Sequence, residues 1–501
     1  MRRAVHLDPQ APPTRLNLAT ALQAADHADE AEAVLREAAV DFPHDTRALE
    51  ELYLQLKRAG RYDEALPVIE QAILRNPASG GLHLKLGVEY GLARRTEDSQ
   101  RAFRHAIALD PTLVDAYLGL AIQYEHSNRE DEFAPLIALA VANGLDAGPL
   151  AFLRALEHRR AQRFDEALAC LELVPPEIEP ERTVHIRATL LDRLGRTDEA
   201  FAGFEAFALL HQASPTDPLR RGAELRAELR AELRLLVPAW PSTWSDAQPA
   251  PVHPDPVFLV GFPRSGTTLL DTILMGHPGT AVMEEQPPLN FVDKAIGGLS
   301  AIPALDEVGI LRAREKYFEE VVKAGAQPND RLLVDKSPLF LTKVPLIQRL
   351  FPNARFILAM RHPCDVLLSC FMSSFRLNNA MANFLSLEDA AEFYDLAFQH
   401  WQRSQALFPL QVHTVVYERL VENVEAEIRP LFDYLGLEWQ ESALDHRTTA
   451  KSRGLITTAS YSQVTEPIYR RAAGRWERYR THLEPILPIL EPWVAKFGYS
   501  M

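Results

Sequence analysis

The sequence predicts two architectures in one chain of 501 residues: an all-α helical-repeat solenoid, then an α/β domain built on a parallel sheet. Three observations carry that expectation. Pro9, Pro43, Pro77 and Pro111 stand 34 residues apart. From residue 257 onward, short apolar runs alternate with helical patterns, the signature of a parallel sheet covered on both faces. Between the two lies a proline-rich stretch (Pro238, Pro241, Pro249, Pro251, Pro254, Pro256) that breaks regular structure. The expected division is a solenoid over 1–215, a capping helix and linker over 216–255, and the α/β domain over 256–501.

The first region is read from its period. Ala31, Ala65, Ser99, Phe133, Ala167 and Ala200 recur every 34 residues, the last step being 33. Four positions later stand Leu35, Ile69, Phe103, Ile137, Leu171 and Phe204, and seven later Ala38, Ala72, Ala106, Ala140, Val174 and Phe207. That spacing marks one face of an α-helix, with a small residue at its head. The preceding helix of two units reads Leu86-Gly87-x-x-Tyr90 and Leu120-Ala121-x-x-Tyr124. The pattern resembles the tetratricopeptide repeat, with about six units over residues 10–212. The later units are weaker, since Pro149 and Pro175 fall off register. Arg3–Pro9 aligns with Arg36–Pro43, so the chain is expected to begin at the tail of a repeat. The resemblance implies a solenoid whose concave face takes a protein or peptide partner. Ala223–Leu236 then reads Ala-Glu-Leu-Arg three times before Leu-Leu, a charged helix expected to face solvent and cap the array.

Composition narrows the function. The net charge of −15 argues against wholesale binding to nucleic acid or anionic membrane, so an anionic ligand needs a local basic site. Three cysteines make no disulfide framework and have no zinc spacing. Two arginines at the N-terminus are followed by no apolar segment, and no run of 18 apolar residues exists. A cytoplasmic protein is expected.

In the second region, strands are expected at Val257–Val260, Arg331–Val334, Arg355–Met360 and Val412–Val416, with helices around 269–276, 311–324, 341–350, 364–375 and 388–407. After the first strand comes Gly261-Phe-Pro-Arg264-Ser265-Gly266-Thr267-Thr268. Its two glycines keep the spacing of a Walker A loop, but Thr267 stands in place of the lysine. The loop opens a helix, which offers backbone N–H groups to a phosphate. Asp335-Lys336-Ser337-Pro338, Arg361-His362-Pro363 (with Ser369 beyond) and Tyr417-Glu418-Arg419 follow the other strands. Ligands in such folds bind at the carboxyl ends of the strands, so these groups are expected to share a crevice.

Pro-Arg-Ser-Gly-Thr-Thr-Leu after a strand, with Arg-His-Pro-x-Asp-x-x-x-Ser some 95 residues later, resembles the sulfotransferase family over residues 256–480. Within it, the nearest likeness is to the tyrosylprotein branch. That likeness is carried by His277-Pro278 before Glu284-Glu285, Asp335-Lys336-x-Pro338, Tyr417-Glu418-x-Leu420-Val421 and Gln463-Val464-x-x-Pro467. The resemblance implies transfer of a sulfuryl group from 3′-phosphoadenosine 5′-phosphosulfate (PAPS) to an acceptor hydroxyl, such as a protein tyrosine, with no metal. It implies that Arg264 and the backbone of Ser265, Gly266, Thr267 and Thr268 hold the 5′-phosphate, and that Lys336 sits by the bridging oxygen. Arg361 and Ser369 then hold the 3′-phosphate, Tyr417 contacts the adenine, and Arg475 faces the phosphates. Glu285 is the implied general base, with Glu284 as the alternative. A P-loop kinase or NTPase, or a scaffold with a degenerate domain, stays open as a rival reading.

Overall fold

The computed structural model describes residues 6, 8, 11–59, 61–250, 253–326, 331–446, 448, 449, 468 and 471–501. Gln463, Val464 and Pro467 lie outside the described residues, as do Arg3, Pro9 and Pro251. By its internal contacts the chain divides into two compact units, Met1–Thr183 and Val184–Met501. No helix among the described residues is long and apolar enough to cross a membrane.

The first unit is a run of antiparallel helix pairs: Pro12–Ala24 with Ala28–Asp41, Arg47–Arg58 with Tyr62–Arg75, Gly80–Leu92 with Thr96–Leu109, Val114–His126 with Phe133–Ala142, and Ala147–Arg160 with Phe164–Leu171. The 34-residue stripe is what they bury: Ala31, Ala65, Ser99 and Ala167 are wholly inaccessible, as are Leu35 and Ile69. Packing departs from the period in two places. Ile137 is half-buried while Leu136 beside it is buried, a one-residue shift of the face. The last helix of the unit ends at Leu171, so Val174 lies beyond it and is also half-buried. Buried carboxylates between neighbouring pairs are matched: Glu89 accepts from Tyr53 Oη and Lys57 Nζ, both at 2.7 Å, and Glu125 pairs with Arg159 and Arg182.

The second unit holds a sheet of five parallel strands in the order β2-β3-β1-β4-β5. These are β1 (Val257–Gly261), β2 (Thr280–Glu284), β3 (Leu332–Lys336), β4 (Arg355–Met360) and β5 (Gln411–Val416). Strand β2 was not expected from the sequence. It forms the edge beside β3, and its register places Glu284 opposite Lys336. The central strand β1 is buried at every position, as a strand covered on both faces must be. Because all pairings are parallel, five strand ends open on one side of the sheet.

This unit also takes in the helix Thr197–Gln212 and helix α1 (Pro218–Leu235), which carries the Ala-Glu-Leu-Arg run. The face of α1 that was expected to be solvated is instead partly a packing surface. Its Arg226 is buried and pairs with Asp389 (2.6 Å) and Glu392 (3.0 Å). The proline-rich segment is not free either. Arg314 Nη1 donates to the Pro249 carbonyl (2.9 Å), and Arg349 Nη1 to those of Ser245 (3.0 Å) and Ala247 (3.3 Å). Two arginines thus strap it along the α/β core.

Candidate active site

The loop after β1 is shaped by two glycines. A Cβ at Gly261 would lie 2.7 Å from the Ala359 carbonyl of β4, and one at Gly266 would lie 2.7 Å from the Tyr417 ring. Gly266 also has φ +94, which favours glycine. Its carbonyl accepts from Leu269 and Leu270 N–H (both 3.1 Å), starting helix α2 (Thr267–Met275). The first amides of a helix have no acceptor within it, so the loop and the start of α2 form an anion-facing cradle. Ser265, Thr267 and Thr268 are buried around it. Ser265 Oγ donates to the Phe262 carbonyl (2.7 Å) and braces the turn.

Strain singles out two residues. Among the described residues of the second unit, Asp217, Arg264 and Glu285 are the non-glycines with left-handed φ. Such backbone costs roughly 1–3 kcal/mol per residue and persists where the surroundings impose it. Two of the three are predicted site residues.

On one side of the cradle, Arg264 Nε donates to Ser369 Oγ at 3.0 Å. Arg361 is buried, donates to the Arg264 carbonyl (2.9 Å) and to that of Ala472, and lies 4.7 Å over the Tyr417 ring. Its Nε has no hydrogen-bond partner among the described residues. The structure thus brings Arg264, Ser369, Arg361 and Tyr417 together. Ser369 lies on helix α3 (Pro363–Phe371), two turns past the end of β4.

On the other side, Lys336 closes β3 and is wholly inaccessible. Its Nζ stands 2.8 Å from Glu285 Oε1, 3.0 Å from Asp271 Oδ2 and 3.3 Å from Glu284 Oε1. Burial pulls its pKa down, but Asp271, Glu285 and Glu284 outweigh that and the net shift is upward. Glu285 follows β2 directly, and its N–H donates to the Lys336 carbonyl at 2.7 Å, extending the ladder by one bond. The side chain of Glu285 is 39% exposed, against 10% for Glu284. Asp271, on α2 four residues after Thr267, escaped the sequence reading. Its only local signal is a lone acid inside the apolar run Leu269–Met275.

Arg475 is placed differently. Its guanidinium pairs with Asp192 (2.7 Å), which also accepts from Arg478 and from Tyr479 Oη (2.7 Å). The segment around it is nonetheless pinned to the site, since Asp365 accepts from the N–H of Gly474 (2.7 Å) and Trp476 (2.8 Å). Other motif residues are structural. His362 takes a proton-fixed orientation, its Nδ1 accepting from Cys364 N–H (3.2 Å) and its Nε2 meeting the Ser500 carbonyl (3.0 Å). Glu418 accepts from His362 N–H (2.9 Å) and Tyr499 Oη (2.8 Å), tying β5 to β4. His277 bridges Gly279 N–H (3.0 Å) and the Glu438 carbonyl (2.8 Å). No cluster of metal-ligating side chains occurs among the described residues.

Comparison with known proteins agrees with both halves of the chain. Residues 256–441 match the model of the sulfotransferase family, and residues 12–37 match a tetratricopeptide-repeat model. An uncharacterized protein of Aquifex aeolicus is 31% identical over 262 residues, covering 49% of this chain and 33% of that protein. The chain thus spans about a third of that relative's length. The zebrafish (Danio rerio) protein-tyrosine sulfotransferase 1 is 25% identical over 258 residues, covering 49% of this chain and 72% of the relative. Among solved structures, the sulfotransferase domain of the Synechococcus olefin synthase is 22% identical and covers 51% of this chain and all of its own, at a TM-score of 0.35. The family match contains Arg264, Glu285, Lys336, Arg361, Ser369 and Tyr417, while Arg475 lies beyond it.

Proposed function

We propose that the second domain is a PAPS-dependent sulfotransferase acting on a hydroxyl of a protein or peptide. The observation that carries this reading is the contact of Lys336 with Glu285 at one strand end, beside a glycine cradle whose far side holds Arg264 and Arg361. When bound, PAPS supplies the sulfuryl group, its sulfur–oxygen bond to phosphate breaking as the bond to the acceptor oxygen forms.

The residues fit such a group. Glycine at 261 and 266 lets the loop pack against the Ala359 carbonyl and the Tyr417 ring, and the buried Arg361 Nε has a donor to spare among the described residues. Arg264 and the amides at the start of α2 hold a 5′-phosphate, and Arg361 with Ser369 holds a 3′-phosphate, a group ATP lacks. Tyr417 presents a ring for the adenine. Lys336 keeps a positive charge where the leaving oxygen becomes negative, and such preorganised charge is a large term in catalysis. Glu285 Oε1 takes the acceptor's proton as the new bond forms, and its partial exposure lets an acceptor reach it. The names of the protein-tyrosine sulfotransferase relatives and the repeat solenoid both support a protein acceptor. Cysteines that form no disulfide support a reducing, cytoplasmic setting.

The test is incubation of the full chain with ³⁵S-labelled PAPS, a cell lysate and a tyrosine-containing peptide. Label is expected in protein or peptide, and Glu285→Ala is expected to lower transfer by about 100-fold or more while nucleotide binding survives. Label in no acceptor defeats the reading. Undiminished turnover by Glu285→Ala assigns the base elsewhere.

A further inference from the structure

The three carboxylates around Lys336 are not equivalent, and the difference divides their labour. An ammonium has three N–H donors. Lys336 Nζ donates to Glu285 (2.8 Å) and Glu284 (3.3 Å), while Asp271 Oδ2 stands 3.0 Å away as an ion-pair partner. An incoming anion competes with these carboxylates for the ammonium, and one of them yields first. Burial decides which. The side chain of Glu285 is 39% exposed and that of Glu284 10%, whereas those of Asp271 and Lys336 are wholly inaccessible. Asp271 is fixed on α2 between the buried Leu270, Ile273 and Leu274, with no path to water. Glu285 can turn away from the lysine, but Asp271 cannot.

We propose that Asp271 is the positioning residue of this site: it keeps Lys336 charged and aimed at the cradle while Glu285 leaves the lysine to meet the acceptor hydroxyl. This rests on the sulfotransferase reading above. The lysine needs such an anchor because burial alone favours its neutral form, and Asp271 is the strongest of the charges opposing that. Once Glu285 turns away, Asp271 and the largely buried Glu284 remain. Without Asp271 the lysine loses its proton more readily and swings free of α2. The arrangement also orders the reaction. Donor binding draws Lys336 to the phosphosulfate, and that exchange releases the base.

The experiment uses the full chain and two readouts: calorimetry with adenosine 3′,5′-bisphosphate, and kcat against pH with labelled PAPS and the acceptor found above. A wild-type chain that neither binds the nucleotide nor transfers label defeats the sulfotransferase reading itself. With an active wild type, Asp271→Asn is expected to lose about 30-fold in kcat near pH 8 and to regain part of it towards pH 6, as the lysine recovers its proton. The wild type is expected to show no such loss across that window, and Asp271→Glu is expected to keep the wild-type profile. An Asp271→Asn chain with wild-type kcat and pH profile overturns the proposal. Should Asp271→Asn not fold, thermal unfolding of Lys336→Met and the double variant decides. A double variant that melts with Lys336→Met supports the pair, and one that stays unfolded overturns it.

Discussion

The two sides of the candidate site hold their cations in opposite ways. On the β1–β4 side, Arg264 donates to the Ser369 hydroxyl, and Arg361 donates to backbone carbonyls and lies over the Tyr417 ring. Arg361 Nε, which has no hydrogen-bond partner among the described residues, is a donor available to a ligand. On the β2–β3 side, Lys336 stands among three carboxylates. The first side offers an anion a spare donor at Arg361, whereas at the second an anion must compete with carboxylates for the lysine. Binding and chemistry are thereby separated along the sheet edge.

That division can be broken by substitution. The largest effect is expected at Lys336. Lys336→Met should lower kcat by about 10³-fold or more, because the charge opposing the leaving oxygen is gone, while nucleotide still binds. Steady-state rates with labelled PAPS check it, and near-normal turnover would erase the distinction between the two sides. Arg361→Ala should do the converse. Nucleotide affinity should fall by about 30–100-fold for loss of a charge-assisted contact, with kcat at saturation within about tenfold, as calorimetry and rates together report.

A smaller and different effect is expected at Asp335, one residue before the lysine. It points to the other face of β3, where Tyr317 Oη donates to its Oδ2 at 2.8 Å. Burial pushes its pKa up to about 7, against which the Tyr317 hydrogen bond works. The folded state therefore holds this proton more tightly than the unfolded chain. Stability from this group is full below pH ~4 and falls as pH rises to about 7. Asp335→Asn should remove that downward slope, on the order of a few kcal/mol, in denaturant melts between about pH 4 and 7. It should leave kcat within about twofold. A large loss of activity would show that the acidic residues at the end of β3 act as one group.

Much of this arrangement is written locally, and the rest is not. The repeats are legible because each unit restates one buried face, and they blur at Ile137 and Val174 where the helices shift or stop. Arg264, Lys336, Arg361 and Tyr417 are legible because parallel strands send their ends to one side. Strand β2 is not. Its five residues alternate in no clear way, and only pairing with β3 makes them a strand. Asp271 is hidden for a related reason, since one acid in an apolar helix reads as a surface position until Lys336 is brought to 3.0 Å. The partner of Arg475 is 283 residues away at Asp192, beyond the reach of any local pattern.

The most direct test is calorimetric titration of the full chain with adenosine 3′,5′-bisphosphate, the desulfonated form of the donor. Binding at micromolar affinity or tighter, roughly −8 kcal/mol, is the expected result, with magnesium not required. No heat at millimolar nucleotide would contradict the assignment of the cradle, Arg264 and Arg361 to a 3′-phosphorylated donor.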